Sequence, residues 1–280
     1  MEPYMQTPEV HQAVTQDEWL WASKILEAKG HSITQLMDSS LLVCEDKGFL
    51  LGCLPPGQLA FLSYIFVENE CRRQGIGSAL LKRFIQISNA RSINRIVVPG
   101  FTGNAPGYVQ PGVNVETEIE ALRIFSHHGF KEIGKVSSME RSLNDHIEVL
   151  EDDQWEIRHP DVSELDLLFD AISRSVPGGW AETFKQRFAL NPQLILIAVN
   201  DGQIGAYSTW RESRFGPIGV LPEFRGKGLG RHILAHSLEK MRQQGDTRAW
   251  FSWSDEENLN FYQSFGFNIT KNYSRLALDL

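Results

Sequence analysis

Two stretches of this sequence place glycines and cations where an apolar strand gives way to an amphipathic helix. The richer one is 220–231, where Val220 and Leu221 close an apolar run and Arg225, Gly226, Lys227 and Gly228 follow. Leu229, Gly230 and Arg231 then open a helix whose apolar residues, Ile233, Leu234, Leu238 and Met241, share one face. The resulting Arg-x-x-Gly-x-Gly string suits phosphate. Glycine lets the backbone turn through positive φ and come close to an anion, while the N–H groups and positive dipole end of the helix start stabilise its charge. Arg225, Lys227 and Arg231 add cations.

The string occurs a second time. Val67 precedes Arg72 by the same interval that separates Val220 from Arg225, and Arg73, Gln74, Gly75, Ile76, Gly77 and Ser78 complete the pattern. A single copy would also suit an ordinary glycine-rich turn before a helix, but two copies in one context favour a shared binding role. Neither copy is one of the better-known phosphate loops, since Gly-x-x-x-x-Gly-Lys-Ser/Thr is missing and neither gives Gly-x-Gly-x-x-Gly after its strand.

The elements that must position these loops follow from periodicity and turn residues. Spacing predicts a helix over 12–29 closed by Gly30, then a hairpin of 41–45 and 49–53 with Asp46, Lys47 and Gly48 at its tip. A strand at 59–67 feeds the first loop. The helix 76–88 is expected to bury Leu80, Leu81, Phe84, Ile85 and Ile87, and a short strand 95–98 follows. Segment 99–115 contains four glycines, including Gly112 beside Pro111, and is expected to be irregular. A helix 118–128 ends at Gly129 before a closing strand within 131–143, and acidic 144–154 reads as a linker with a boundary near Glu151. Beyond it come a strand 155–159 and helices 162–173 and 181–189, separated by Pro177, Gly178, Gly179 and Trp180. A hairpin of 194–199 and 204–210 turns at Asn200-Asp201-Gly202, and strand 215–220 leads into the second loop.

These residues resemble the GNAT acyl-coenzyme A N-acyltransferases, whose pyrophosphate loop reads Gln/Arg-x-x-Gly-x-Gly/Ala and is followed by an aromatic pair and then Gly-Phe. Phe261, Tyr262, Gln263, Ser264, Phe265, Gly266 and Phe267 supply that second feature, with Ile124, Phe125, Ser126, His127, His128, Gly129 and Phe130 in the corresponding place earlier. The resemblance reaches most of the chain and includes the family's subset with two domains in one polypeptide. It implies an α/β fold, a mixed sheet flanked by helices, in two tandem copies at 1–150 and 151–280, with acetyl-CoA as cofactor. The two loops, with Val67, Val220 and Leu221, are then its binding residues. The paired arginines lie 153 residues apart and Phe130 and Phe267 137, so the first copy carries an insertion within 99–115 that reads as a lid or a packing element.

Acyl transfer to an amine needs a free nucleophile, a polarised thioester carbonyl and a proton for the departing sulfur. The resemblance implies that an N–H near Val220 and Leu221 meets the carbonyl where the strand splays from its neighbour, and that Tyr262 is the general acid, its reference pKa of about 10 keeping the proton in place. Phe125 stands at the matching position of the first copy and cannot donate a proton. The first copy is therefore expected to be catalytically weak and the second catalytic. Glu212 is the first candidate for a base, with Asp255 and Glu256 behind it, although solvated surface charge explains all three. Trp180 is a candidate acceptor contact or a core residue. Strand alternation puts Trp210 with Ser208 on one face and Trp250 with Ser252 on another. His127 and His128 read as cations capping a helix C-terminus.

Composition narrows the partners. With 42% hydrophobic and 22% charged residues the chain is ordinary for a soluble globular protein, and its net charge of -8 argues against a broad nucleic-acid surface. No apolar run is long enough to span a bilayer and the first ten residues do not resemble a signal peptide, so a cytoplasmic monomer or homodimer is expected. Cys44, Cys53 and Cys71 form neither a disulfide pattern nor a metal site, and Cys71 is either a thiol activated by Arg72 and Arg73 or a packed one. The leading function is transfer of an acetyl group from acetyl-CoA to a primary amine of a small molecule. Two alternatives stay open: a non-catalytic acyl-CoA binding or sensing protein, and an acetyltransferase of protein N-termini or lysines.

Overall fold

The computed structural model describes residues 8–13, 15–28, 39–98, 110–149, 154–176 and 179–280. Gly30, most of the 99–115 insertion, Glu151, Pro177 and Gly178 lie outside them. The chain forms two compact units, Met1–Val136 with Lys271–Leu280, and Ser137–Thr270.

The elements of the first repeat are β1 (His11–Gln12), α1 (Gln16–Ala28), β2 (Ser39–Cys44), β3 (Gly48–Cys53), β4 (Leu59–Val67), α2 (Ile76–Ala90), β5 (Arg95–Val98), β6 (Val113–Asn114), α3 (Ile119–His127) and β7 (Lys131–Ser142). Those of the second are β8 (Glu156–Arg158), α4 (Leu165–Ser175), α5 (Trp180–Leu190), β9 (Ile195–Asn200), β10 (Gln203–Arg211), β11 (Arg214–Val220), α6 (Leu229–Gln243), β12 (Arg248–Asp255), α7 (Leu259–Gln263) and β13 (Asn268–Asp279).

The units are not the halves 1–150 and 151–280, because the closing strands are exchanged. In the first unit β1 to β4 form an antiparallel meander, β4 runs parallel to β5 from Leu59 opposite Arg95 to Phe61 opposite Val97, and β5 pairs with the C-terminal part of β13 from Leu276 opposite Val98 to Asp279 opposite Arg95. In the second unit β8 to β11 are antiparallel, β11 meets β12 in parallel, and β12 is followed by the end of β7. There the Ser138 hydroxyl donates to Ser252 O at 2.5 Å and Leu143 N to Thr247 O at 2.9 Å.

Helix faces follow the apolar spacing. α6 buries Leu229, Ile233, Leu234, Leu238 and Met241 against Ala206, Trp210, Phe215 and Phe251, while α4 and α5 bury Leu168, Ile172 and Phe184 against Ile195, Ile197 and Tyr207 on the other face of that sheet. Two close approaches depend on glycine. A Cβ at Gly219 would lie 2.6 Å from the Tyr207 hydroxyl, and one at Gly205 2.3 Å from the Trp155 ring.

Several turns differ from expectation in detail. The first hairpin takes its positive φ at Glu45 and Asp46, whereas Gly48 is small because a Cβ there would sit 2.8 Å from Phe66 O. Asp201 and Gly202 turn the second hairpin as predicted. The insertion ends in a strand: residues 111–114 are buried, and Val113 and Asn114 pair with Ser274 and Tyr273. Cys71 is a partly buried thiol packed on the first unit's core. His128 is no cationic cap, because burial, then the charges of His127 and Lys82, hold its imidazole below the usual range, and its Nε2 has no hydrogen-bond partner among the described residues.

Candidate functional site

In the second unit the chain leaves β11 through a 3-10 turn, Pro222–Phe224, and enters α6 at Gly228. Gly226 and Gly228 have φ of 76° and 85°, and neither would bring an added Cβ into close contact, so the backbone between them is open. No side chain caps α6. Its first amides lack intrahelical acceptors and stay available to a ligand. Gly230, in contrast, faces inward, its Cβ position 3.4 Å from the Val220 side chain and 3.8 Å from Phe261.

The cations divide their work. Arg225 donates from Nε to Val220 O at 3.0 Å, so it ties the loop to the strand end that feeds it. Lys227 is exposed above the Phe224 ring, and Arg231 donates to the Ser264 hydroxyl at 2.9 Å with its guanidinium 4.8 Å from the Phe265 ring centroid. Beside them a cavity of about 440 Å³ is lined by Arg141, His146, Gly228, Arg231, His232 and Ser264 among others. Arg141 donates to Phe265 O, and burial lowers its pKa.

β11 reaches this loop with one edge open. Its ladder to β12 pairs Arg214 with Trp250, and among the described residues 215–220 have no partner on that side. The alternation of an antiparallel pair decides which amides face the gap. Leu221 N donates to Gly205 O at 2.9 Å, so Leu221 points towards β10, and Val220, one residue earlier, points its N–H into the gap. Of the two amides expected to meet a carbonyl, Val220 is therefore the available one.

Tyr262 sits beside that gap. Its ring centroid is 4.6 Å from that of Phe251 on β12, 5.1 Å from Phe261 and 5.7 Å from Phe267. Its hydroxyl has no hydrogen-bond partner among the described residues, and burial pushes its pKa up to about 12. Glu212 is elsewhere. It occupies the β10–β11 turn at φ 51°, pairs with Arg211 at 3.0 Å and is 78% exposed, at the opposite end of β11 from Val220 and roughly 20 Å or more along the strand. Asp255 ends β12 at the Val220 end, and Glu256 is exposed next to it. Trp210 donates to Gln244 Oε1 at 2.9 Å in the core with Ser208 on the same face, and Trp180 packs with the α4–α5 core.

The first unit repeats the frame: among the described residues β4 pairs with β5 only from Leu59 to Phe61, and the inserted strand lines the edge beyond. Arg72 Nε donates to Val67 O at 3.2 Å, Gly75 enters α2 uncapped at φ 83°, and Gly77 faces Val67 and Ile124. Arg73 takes the place of Gly226 with φ 62° and pairs with Glu120 at 3.2 Å. Gln74 and Ser78 stand where the second loop has Lys227 and Arg231. Phe125 packs on Phe130 at 5.1 Å as Tyr262 does on Phe267. Beside β4 only about 20 Å³ remains among Tyr64, Val98, Gly112, Val113, Glu118 and Phe125, room for about one water. Glu118 fixes the inserted strand by accepting from Gln110 at 2.7 Å and Asn114 N at 2.8 Å.

The profile of the acetyltransferase (GNAT) domain matches residues 37–132 and 191–269, which together exceed half of the chain. The chain belongs to the GNAT acetyltransferase family. Its fold is shared with solved structures of low sequence identity. A GCN5-related glucosamine N-acetyltransferase region of a fungal multi-domain GH3 β-N-acetylglucosaminidase has a TM-score of 0.77 and 17% identity over 96% of this chain, which spans only 38% of that one. A GCN5-related N-acetyltransferase from Sphaerobacter thermophilus gives 0.70 and 15% over 97% of this chain and 95% of its own. A tandem GNAT protein from the clavulanic acid biosynthesis pathway gives 0.64 and 13%, covering 97% and 98%. No curated protein matches the sequence. Among the described residues of this GNAT protein no helix is long and apolar enough to cross a membrane, and no cluster of potential metal ligands occurs.

Sequence reasoning missed Tyr207, whose hydroxyl bonds Ser175 Oγ at 2.9 Å, and the arginines Arg187, Arg211 and Arg214. Gly219 was the available signal for the first, since a glycine inside a strand marks a close approach.

Proposed function

We propose that the protein transfers an acetyl group from acetyl-CoA to a primary amine of a small molecule, and that the second unit performs the reaction. The observation that carries this reading is the conjunction, in one unit, of an uncapped glycine-opened helix, a strand with a free inner edge, and a phenol with no partner. The open backbone at Gly226 and Gly228 fits a diphosphate, and the cationic cavity lined by Arg141, Arg231 and His232 fits the remaining phosphate and nucleoside of the cofactor.

Bound acetyl-CoA supplies an acetyl thioester. Lys227 and the first amides of α6 hold the diphosphate, and Arg225 keeps the turn in shape through Val220 O. The Val220 N–H, fixed by the same strand, donates to the acyl oxygen as negative charge gathers there. Tyr262 keeps its proton throughout the physiological range, because its pKa is about 12, and gives it to the sulfur. The amine's proton leaves through water, with Asp255 the carboxylate at that end of the sheet. The first unit, with Phe125 in place of the phenol and its gap filled by Val113, serves as a scaffold without turnover.

The test is release of free thiol from acetyl-CoA by the full chain over a panel of primary amines, with calorimetry for cofactor binding. One coenzyme A per chain and amine-dependent thiol release are expected. Saturable binding with no release for any amine, peptide N-termini and lysines included, would replace this reading with acyl-CoA sensing; release with peptides alone would replace the small acceptor.

A further inference from the structure

On the sheet face that carries α4 and α5 in the second unit, three arginines gather without a matching set of carboxylates. Trp210, Phe215, Ala249 and Phe251 pack towards α6, so alternation turns their neighbours Arg211, Arg214, Trp250 and Ser252 to the opposite face. Arg211 and Arg214 stand directly opposite each other in the β10–β11 register, where like charges oppose pairing. Arg214 lies 5.8 Å from the Trp250 ring centroid and donates to the Ser252 hydroxyl at 3.3 Å, with no carboxylate partner among the described residues.

Arg187, in the last turn of α5, completes the group. Its Nε is buried without a hydrogen-bond partner among the described residues. Burial, and then the charges of Arg211 and Arg214, hold this guanidinium below its usual range, with Glu212 opposing them. Nearby carboxylates are committed or peripheral: Glu212 is exposed and paired with Arg211, and Asp246 accepts from the Ser213 hydroxyl at 2.6 Å. The buried Arg187 donor is costly without a partner, whereas Arg211 and Arg214 are exposed and their repulsion is a smaller, solvent-screened cost. Glu212 offsets Arg211 alone, so Arg187 and Arg214 have no carboxylate partner among the described residues and leave the place open to an anion from outside.

Position supplies the rest. Arg214 opposite Trp250 is the pair at which β11 and β12 still meet, and the gap bordered by Val220 opens beyond it. We propose that Arg187, Arg211 and Arg214 form a subsite for a carboxylate or phosphate on the acceptor, with Trp250 as its flat wall, so that the amine of an anionic acceptor points into the gap. The inference rests on the acyl transfer proposed above and narrows its substrate class.

The experiment compares thiol release for acceptors matched in their amine: β-alanine against β-alaninamide, and ethanolamine phosphate against ethanolamine. The two pairs distinguish carboxylate from phosphate. At least one anionic member is expected to exceed its neutral partner about tenfold or more in kcat/KM, because charge-assisted bonds to arginine are the strong ones. Arg214→Gln and Arg187→Gln should each shrink that ratio about tenfold, mainly through KM, while Arg214→Lys restores part of it. Equal rates within both pairs, or a ratio untouched by either glutamine variant, overturn the subsite and leave acyl transfer standing. If no amine releases thiol, acyl transfer fails and binding decides the subsite. Coenzyme A-saturated protein is then titrated with inorganic phosphate and with acetate: saturable binding of either that is lost in Arg214→Gln supports it, and binding of neither overturns it.

Discussion

Tyr262→Phe separates proton donation from packing. The exchange deletes a hydroxyl that has no partner among the described residues and keeps the ring against Phe251, Phe261 and Phe267. Stability at pH 7 should change by less than about 1 kcal/mol, since neither a cavity nor an orphaned group is created. The rate should not survive so well. A positioned general acid contributes about 10²–10⁴-fold, or roughly 3–5 kcal/mol of barrier, so kcat should fall about 100-fold or more with cofactor affinity unchanged. The raised pKa gives a second readout. Between pH 10 and about 12 the unfolded phenol loses its proton while the folded one keeps it, so this contribution to stability is intact below pH 10 and is lost as pH rises towards 12. The full loss is about 3 kcal/mol, of which roughly half, about 1.4 kcal/mol, has occurred by pH 11; that half should be missing from the difference between urea unfolding curves of Tyr262→Phe at pH 7 and pH 11. A variant that binds coenzyme A and keeps kcat within about threefold of the parent would refute the reasoning.

Three further outcomes are expected. Gly228→Val, which forces a β-branched residue to φ 85°, should weaken coenzyme A binding at least about tenfold in calorimetry and cost about 1–2 kcal/mol in urea unfolding. Phe125→Tyr should give no turnover to the first unit when introduced beside Tyr262→Phe, because Val113 and Gly112 still fill the space next to β4; recovered thiol release would contradict this. Expressed separately, 1–150 and 151–280 should show poor solubility or non-cooperative melting, since each lacks the closing strand of one unit, and mixing them should restore a cooperative transition.

Local rules carried much of the architecture. The Asp201-Gly202 turn, the buried face of α6 and the two glycine-opened helices were legible because each is set within about a dozen residues. The site was legible where a backbone conformation demanded a residue type, as at Gly228, and where an aromatic stood at a fixed interval from Gly266. Four features were not. Which amide faces the gap depends on Leu221 bonding Gly205 across the sheet. The placement of Glu212 at the wrong end depends on strand direction. The gathering of Arg187 with Arg211 and Arg214 joins a helix to a hairpin, and the exchange of β7 and β13 is a choice between strands of similar pattern; neither leaves a trace in spacing.

That exchange has a consequence for how the molecule is made. A polypeptide leaves the ribosome from its N-terminus, and domains generally fold as they emerge. Here the residues that pair with β5 are Leu276, Ala277, Leu278 and Asp279, which are synthesised after the whole of the second unit. The leading unit must wait with β5 uncovered until Asp279 has been made, whereas the trailing unit has its own closing strand, 137–142, already at hand. Completion of the leading unit therefore waits on the trailing one, and a chain that stops short of Leu276 would leave the earlier-made unit unfinished.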